Sequence, residues 1–315
     1  MQRFWLVLLL LVALPGRAAA QPVHSAIFFY PWYSNPAHDG LWAHWQEGAH
    51  SPPVDIASVF FPARGVYSSG DVHVLWGQMR DIRAAGVDEV VSSWWGWGSP
   101  EDDRLLAVRR AARSAGLNVA VQLEPYDGRT IDSIATDLQH LRAVGIRDVY
   151  VYRSSDFGAE QWASLDLQLT GLRVFAQTGL VGFAAKAGFA GIYTYDIVTY
   201  GGDKFERLCR EAHALGLLCA PSVGPGYDAE AATGDPHVKP RDAGATYDSM
   251  WHAALAADAD LVTITSYNEW SEGTQIEPAG HGGRYDSYDG AYGRHGRAAE
   301  RAYIRETARW TSGLR

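Results

Sequence analysis

One pattern recurs along this chain from about residue 25 onward, and it constrains the fold more than any other feature. An amphipathic segment ends in a glycine, a short apolar run rich in Val, Ile and Tyr follows, and a loop with aromatic or acidic residues comes next. The glycines in question are Gly86, Gly116, Gly145, Gly188 and Gly216. Glycine accepts the left-handed conformation that closes many helices, so each repeat of the pattern predicts a helix followed by a strand.

Eight apolar runs are the candidate strands. They cover residues 26–33, 89–95, 118–126, 148–155, 173–178, 191–197, 218–224 and 261–270. The runs are almost continuously apolar, as is typical of parallel strands that are covered on both faces. Eight alternating strand and helix units predict an α/β fold, a single (β/α)8 TIM barrel over residues 21–315 with long loops after its strands. A doubly wound sheet is the alternative, but no glycine-rich phosphate loop follows the first run.

Three connections are too long to be simple links between elements: 34–70, 225–241 and the Gly/Tyr-rich 280–296. Loops of this length in a compact domain usually carry function. The last of them could equally be a mobile surface loop.

The composition excludes several classes of protein. Of the 315 residues, 47% are hydrophobic and only 20% are charged, which argues against disorder. The net charge is −9 and there are no long basic runs, so nucleic acid is not an expected partner. Twelve Trp and sixteen Tyr suit a protein that stacks against sugars, although aromatic residues also fill cores and rims. Nothing in the sequence sets the oligomeric state.

Residues 1–20 are predicted to be a signal peptide. Arg3 provides the positive charge, "FWLVLLLLVAL" is the apolar stretch, and "GRAAA" offers small residues for cleavage near Ala20. The apolar stretch is shorter than the roughly 20 residues that a membrane-spanning helix needs. We therefore expect export to the periplasm or the extracellular space without obligate membrane insertion, while an uncleaved anchor remains the alternative.

The chain has two cysteines, Cys209 in a helical pattern and Cys219 in a strand-like run. They could pair in an oxidising compartment, but two buried free thiols are the expectation from these contexts. The sequence contains no C-x-x-C and no H-E-x-x-H, so no metal site is expected.

Aromatic and acidic residues concentrate at the ends of the predicted strands, in "YPWY", "SWWGWG", "LEPY", "YTYD" and "YNEWSEG". Barrel enzymes build their active sites at these strand ends. The final strand delivers Glu269 and Glu272, three residues apart, and Glu124 ends the third strand. Two neighbouring carboxyls push each other's pKa apart, so one stays protonated while the other ionises. That division is what the cleavage of a glycosidic bond requires.

These residues also resemble a known family. "YNEWSEGTQIEP" is similar to the signature loop of glycoside hydrolase family 99, the endo-α-1,2-mannosidases and mannanases. "FFYPWYSNP", "VVSSWWGWG", "VQLEPY", "GIYTYD" and "SVGPGYD" also match that family's pattern, and the resemblance covers most of residues 26–279.

The resemblance implies a retaining, endo-acting α-mannosidase that needs no cofactor and acts on α-mannan or mannose-containing oligosaccharides. It implies that Glu269 activates the sugar's own 2-hydroxyl, which displaces the leaving group to give a 1,2-anhydro sugar, and that Glu272 acts as acid and then base. The residues expected to line the sugar sites are Tyr30, Trp94, Trp95, Glu124, Tyr126, Tyr195 and Tyr227. Asn268 and Gln275 are added as residues that bind substrate, position the glutamates or satisfy the loop backbone.

Two other functions remain open at this stage. One is a carbohydrate-binding or polysaccharide-assembly protein that keeps the barrel without hydrolysis. The other is a hydrolase of another α-glycan, such as an α-glucan.

Overall fold

The structure of the protein, a computed structural model, describes residues 23–280 and 283–314. The predicted signal peptide lies outside the described residues. Within these two ranges, no helix is long and apolar enough to cross a membrane.

Nine parallel strands form the central sheet, in the order β7-β6-β5-β4-β3-β2-β1-β11-β8. The strands before the hairpin are β1 His24–Phe29, β2 Glu89–Trp94, β3 Asn118–Leu123, β4 Asp148–Val151, β5 Arg173–Gln177, β6 Gly191–Tyr193, β7 Leu218–Ala220 and β8 Ser222–Val223. The last strand of the sheet is β11, Leu261–Ile264. A separate antiparallel hairpin consists of β9 Tyr227–Asp228 and β10 Val238–Lys239.

Pro221 explains why nine segments make eight strand positions. It separates β7, which pairs with β6, from β8, which pairs with β11. Proline has no backbone N–H to give to a ladder, yet its carbonyl still accepts a 3.0 Å hydrogen bond from the backbone of Thr263. The two halves together act as the seventh strand and close the sheet on itself. The predicted (β/α)8 barrel is therefore confirmed.

Ten helices accompany the strands in the described residues. They are α1 Pro36–Asp39, α2 Val72–Ala84, α3 Pro100–Ser114, α4 Ile131–Ala143, α5 Ala159–Ala163, α6 Val181–Lys186, α7 Phe205–Ala214, α8 Glu230–Thr233, α9 Ala245–Ala256 and α10 Ala302–Ser312. Helix α3 shows the local reason for their limits: the Ser99 side chain accepts from the backbone N–H of Asp102, and Pro100 opens the first turn. The glycine of the repeated pattern ends the helix; Gly116, after α3, has φ +74°.

The strands are shorter than the apolar runs that predicted them. Strand β1 ends at Phe29 and β11 at Ile264, so Tyr30 and Glu269 lie in loops beyond the strand ends. Inside the barrel, the Phe28 ring contacts Tyr150 and Tyr193 from two other strands, and all three side chains are buried. Aromatic side chains therefore fill the space beneath the loops.

The expectation of two free thiols was wrong, because Cys209 and Cys219 form a disulfide. Cys209 lies on the buried side of α7 and Cys219 lies in β7, against which that helix packs, with their Cα atoms 5.1 Å apart. This separation lies in the usual range for disulfides. The sequence showed the type of each element but not that the two side chains face each other.

Candidate active site

The two glutamates predicted to be catalytic lie together at the C-terminal end of the barrel. Glu269 comes five residues after the end of β11 and is buried, and Glu272 ends the short 3-10 turn Trp270–Glu272. Their carboxyls are hydrogen-bonded to each other. A hydrogen bond between two carboxyls requires that at least one of them keep its proton, so the pair holds at most one negative charge.

Burial raises the pKa of both carboxyls, and their different neighbours then move the two pKa values apart. The pKa of Glu269 rises to about 7, and the hydroxyl donors Tyr195 and Tyr30 limit that rise by stabilising its charge. The pKa of Glu272 is raised much further, first by burial and then by the negative charge of Glu269. Glu269 is therefore the carboxyl that ionises first, near pH 7, while Glu272 stays a carboxylic acid.

Two tyrosines hold the Glu269 carboxylate. The Tyr195 hydroxyl donates to Glu269 Oε2, and the Tyr30 hydroxyl is hydrogen-bonded to that of Tyr195. Tyr195 has a left-handed backbone, φ +52°, which costs a non-glycine residue about 1 kcal/mol. Its backbone N–H donates to Ser222 and its carbonyl accepts from Thr265, which keeps this conformation in place.

Asn268 fixes the loop next to the catalytic pair. Its amide accepts from the backbone N–H of Tyr30 at 2.8 Å and donates to the carbonyl of Tyr30 at 2.9 Å. The side chain is fully buried, so it positions Tyr30 and Glu269 relative to each other and has no surface to offer a sugar. The following Trp270 donates to the buried Glu277 at 3.0 Å, which anchors the other end of the turn.

Glu124 lies close enough to the pair to interact with it electrostatically. It is buried and accepts hydrogen bonds from Ser93 at 2.9 Å and Gln122 at 3.0 Å. Burial raises its pKa to about 8, and the charge of Glu269 adds to the rise. This third carboxyl is therefore mainly protonated at neutral pH.

A cleft of about 340 Å³ opens beside Glu272. This is within the range of about 300–1,000 Å³ that ligand pockets occupy. Its walls include the following side chains: Tyr152, Tyr195, Asp196, Tyr227, Asp235 and His237. Tyr227 donates to Asp235 at 2.8 Å, and the pKa of Asp235 falls to about 2, mainly because the backbone N–H of His237 donates to it. One wall of the cleft thus carries a fixed negative charge.

Some predicted sugar-binding residues lie away from this cleft. The Trp94 side chain is fully buried against the helices, where its Nε1 donates to Asp102 at 2.9 Å, so the expected sugar contact does not fit its position. The Tyr126 hydroxyl donates to Asp137 of α4 at 2.5 Å. Gln275 is also fully buried. Trp95, by contrast, is half-buried at the rim beyond β2.

Four residues near the pair were not predicted: Tyr152, Asp196 and Asp235, which line the cleft, and Glu47, whose charge acts on Glu269. Tyr152 and Asp196 occur at strand ends, where aromatic and acidic residues were noted as a group. Asp235 and Glu47 occur in long loops that were singled out by length alone. The sequence therefore indicated which segments carry functional residues, but not which side chains within them.

A larger cavity of about 420 Å³ lies at the opposite, N-terminal end of the barrel, beside Glu89, Asp148 and Arg173. Arg173 donates to Asp148 at 2.7 Å, which makes this an ion-paired floor. Active sites of such barrels lie at the other end. Among the described residues, no group of three or more His, Cys, Asp or Glu side chains is arranged to hold a metal ion.

A (β/α)8 barrel whose strand ends carry two coupled carboxyls in opposite protonation states has the architecture of a glycoside hydrolase. The comparisons with known proteins agree. The chain matches the family model described as glycosyl hydrolase family 99 over residues 21–315, and it belongs to that family. The protein is therefore a glycoside hydrolase.

Relatives and solved structures fit this assignment. A glycoprotein endo-alpha-1,2-mannosidase-like protein of Danio rerio is 32% identical over 84% of this chain and 72% of its own length. The glycoprotein endo-alpha-1,2-mannosidase of Xenopus laevis is 30% identical over 80% of this chain and 69% of its own length. The structure of the GH99 endo-alpha-mannosidase from Bacteroides thetaiotaomicron superposes with a TM-score of 0.83 and 26% identity, covering 93% of this chain and 97% of that one.

Proposed function

We propose that this protein is an endo-acting α-mannosidase that cleaves mannose-containing oligosaccharides or α-mannan. The observation that carries the proposal is the hydrogen-bonded pair of Glu269 and Glu272 beside the cleft. The names of the relatives support mannose as the sugar, and the endo-1,2 linkage is the one that two of them carry in their names. The cleft wall that continues from Glu272 to Tyr227 and Asp235 supports a substrate with sugar units on the leaving side of the bond.

The chemistry that we propose uses the substrate's own 2-hydroxyl. Glu269 takes the proton of this hydroxyl while its oxygen attacks the anomeric carbon. The bond from that carbon to the leaving sugar breaks, and Glu272 gives its proton to the leaving oxygen. The product of this step is a 1,2-anhydro mannose. Water then opens the three-membered ring at the anomeric carbon; Glu272 accepts the water's proton and Glu269 returns its proton to the 2-oxygen.

Two features of the pair support this route. A pKa of about 7 makes Glu269 suited to act as a general base near neutral pH. The carboxyls lie within hydrogen-bonding reach of each other, whereas inverting enzymes keep theirs about 6.5–9.5 Å apart to hold a water between them. Two successive inversions at the anomeric carbon give net retention.

The test of the acid role is Glu272→Gln, assayed on two substrates. We expect at least a 10²–10⁴-fold loss of kcat on an α-mannan oligosaccharide, because its leaving sugar needs the proton. The release of fluoride from an α-mannosyl fluoride of the same length, measured in the first turnover before water opens the anhydro ring, should fall much less, since fluoride leaves without a proton. Binding of the oligosaccharide, measured by calorimetry, should persist.

The possible results of that experiment test the role of Glu272, and two further measurements test the substrate and the stereochemistry. Wild-type rates for the variant on the oligosaccharide would refute the role of Glu272. A first-turnover loss of fluoride release as large as the loss on the oligosaccharide would show that Glu272 does not act as the acid. A wild-type protein that cleaves α-glucans but not α-mannans would overturn the proposed substrate, and product anomers read by NMR would test retention.

We also propose that the protein is exported. The predicted signal peptide at residues 1–20 supports this, and so does the disulfide Cys209–Cys219, because disulfides persist mainly in oxidising compartments. The measurement is the N-terminal mass of protein recovered from its native host. A mature chain that begins near Gln21 is the expected result, and an intact Met1 in a cytosolic fraction would contradict it.

A further inference from the structure

The segment that follows Glu272 is held from outside the cleft by one arginine. Nη2 of Arg241 donates to the carbonyl of Gly273 at 2.9 Å and to the carbonyl of Gln275 at 2.7 Å. These carbonyls flank Thr274, which lines the cleft beside Glu272. The backbone on the C-terminal side of the acid is thus fixed by a charged double donor.

The guanidinium itself is held by three aromatic rings. Its central carbon lies 4.7 Å from the ring centres of Phe60, Tyr288 and Tyr303. These rings come from three distant parts of the chain: the long first loop, the Gly/Tyr-rich segment and helix α10. Cation–π contacts of this kind are stronger when they are shielded from water. Arg241 therefore has little freedom to move relative to the barrel.

The same arginine ties the hairpin wall of the cleft to the catalytic turn. Arg241 follows strand β10 of the β9–β10 hairpin, whose residues Tyr227 and Asp235 line the cleft. Gly226 packs so tightly on this residue that an added Cβ would lie 2.6 Å from Arg241 Cγ. Gly273, at φ +62°, approaches the hairpin backbone equally closely, since an added Cβ would lie 2.8 Å from the Asp228 carbonyl.

We infer that Arg241 is a positioning residue for the reaction: it sets the Glu272 carboxyl against Glu269 and holds the hairpin wall in register with it. Arg241 does not reach the sugar, and it acts through the Gly273–Gln275 backbone. This inference rests on the proposed function only in taking Glu272 as the acid. A displacement of about 1 Å at a reacting group costs on the order of 100-fold in rate, so a loose turn should impair turnover more than binding.

The experiment compares Arg241→Met and Arg241→Lys with the wild-type enzyme on an α-mannan oligosaccharide. Met leaves an apolar side chain beside the rings but has no guanidinium and donates no hydrogen bond, whereas Lys retains the charge and can still donate to the turn, without the planar fork of arginine. We expect kcat to fall about 10–100-fold in Arg241→Met while KM changes by less than about threefold. The Lys variant should recover part of that loss.

The pH profile separates positioning from a purely structural role. When the turn loosens, Glu272 moves away from the Glu269 charge, and the pKa of Glu272 falls. The alkaline limb of kcat/KM reports the loss of the Glu272 proton, so it should move to lower pH in Arg241→Met. The matched control is Arg309→Met, which removes another arginine stacked on an aromatic ring, 4.3 Å from the centre of Trp310 on α10. That variant should keep the wild-type kcat and pH profile.

The outcomes distinguish this inference from the proposed function. If the wild-type enzyme does not cleave the oligosaccharide, the proposed function fails, and the role of Arg241 in placing the acid for that reaction fails with it. If the wild type is active and Arg241→Met keeps the wild-type kcat and the wild-type alkaline limb of kcat/KM, the positioning role is wrong. An equal fall in Arg309→Met would also overturn it. Should Arg241→Met fail to fold, the same comparison with Arg241→Lys decides, since an unchanged kcat and pH limb there would refute the role.

Discussion

The hydroxyl of Tyr195 controls the ionisation of Glu269, and Tyr195→Phe is the change that removes it. The Tyr195 hydroxyl donates directly to Glu269 Oε2 in a buried site. A donor to the charged form of an acid lowers its pKa. Phenylalanine keeps the ring and its packing but leaves the carboxylate with one donor fewer, so the pKa of Glu269 should rise above about 7.

The size of the shift follows from the strength of this hydrogen bond. A hydrogen bond to a charged group contributes about 1.5–3 kcal/mol, and one pKa unit corresponds to about 1.36 kcal/mol. The Tyr30 hydroxyl also stabilises the Glu269 charge and remains in the variant. We therefore expect the lower end of the range, an increase of about one unit. Below its pKa the ionised fraction of Glu269 then falls about tenfold, which makes the variant about tenfold slower at pH 6.

The assay is the pH dependence of kcat/KM on an α-mannan oligosaccharide. The acid limb should move upward by about one unit in Tyr195→Phe. The matched control is Tyr193→Phe, two residues earlier, because the Tyr193 side chain is buried and its hydroxyl has no hydrogen-bond partner among the residues that the structure describes. An acid limb that stays in place or moves to lower pH in Tyr195→Phe, or an equal shift in the control, would refute the assignment of Glu269 as the base.

Three further predictions concern the groups that support the site. Asn268→Ala leaves the backbone N–H of Tyr30 unpaired in a buried site and should lower the free energy of unfolding by about 2–4 kcal/mol and reduce kcat; urea denaturation that matches wild type would contradict this. Replacing Cys209 and Cys219 with Ala opens a loop of sequence separation 10 and should cost about 2–4 kcal/mol, seen as a melting temperature that reductant no longer lowers. The folded-state pKa of Glu124 is raised to about 8, so its contribution to stability is complete below about 4.5 and is lost as pH rises through 8. Glutamine does not titrate, so the melting temperature of Glu124→Gln relative to that of wild type should be higher at pH 9 than at pH 5. A difference in melting temperature that does not change with pH would show that this carboxyl does not titrate as proposed.

The barrel could be predicted from the sequence because its signal is repeated and local. The strands of the central sheet are mostly buried, and most of the helices between them end at a residue with a left-handed backbone, as α3 does at Gly116. The division of the seventh strand at Pro221 could not be predicted in the same way. It depends on pairing with β6 on one side and β11 on the other, which are long-range contacts.

The carboxyl pair could be located because both members lie in one short stretch at the end of the last strand. The same reasoning could not show which of the surrounding aromatic residues face the cleft and which are buried in the core. Trp94 and Trp95 are neighbours in the sequence, yet Trp94 is fully buried against Asp102 while Trp95 lies half-buried at the rim. Successive residues of an extended chain point to opposite faces, so a shift of one position decides whether a side chain faces the core or the cleft.

Long-range contacts explain the remaining differences. The role of Arg241 depends on rings from three distant segments, and the disulfide depends on which side of α7 faces β7. Neither arrangement leaves a local pattern in the sequence. The long loops did signal that something functional lay in them, because such loops are uncommon in compact domains.

The central claim is that Glu269 and Glu272 share a site in opposite protonation states, and carboxyl-selective 13C NMR of the glutamate side chains tests it most directly. Spectra of Glu269→Gln and Glu272→Gln would assign the two resonances. We predict that in the wild type Glu269 titrates near pH 7 while Glu272 keeps its proton, and that the pKa of Glu272 falls in Glu269→Gln because the neighbouring charge has gone. Two carboxyls that both titrate near 4.5, with Glu272 unaffected by the loss of Glu269, would contradict the account.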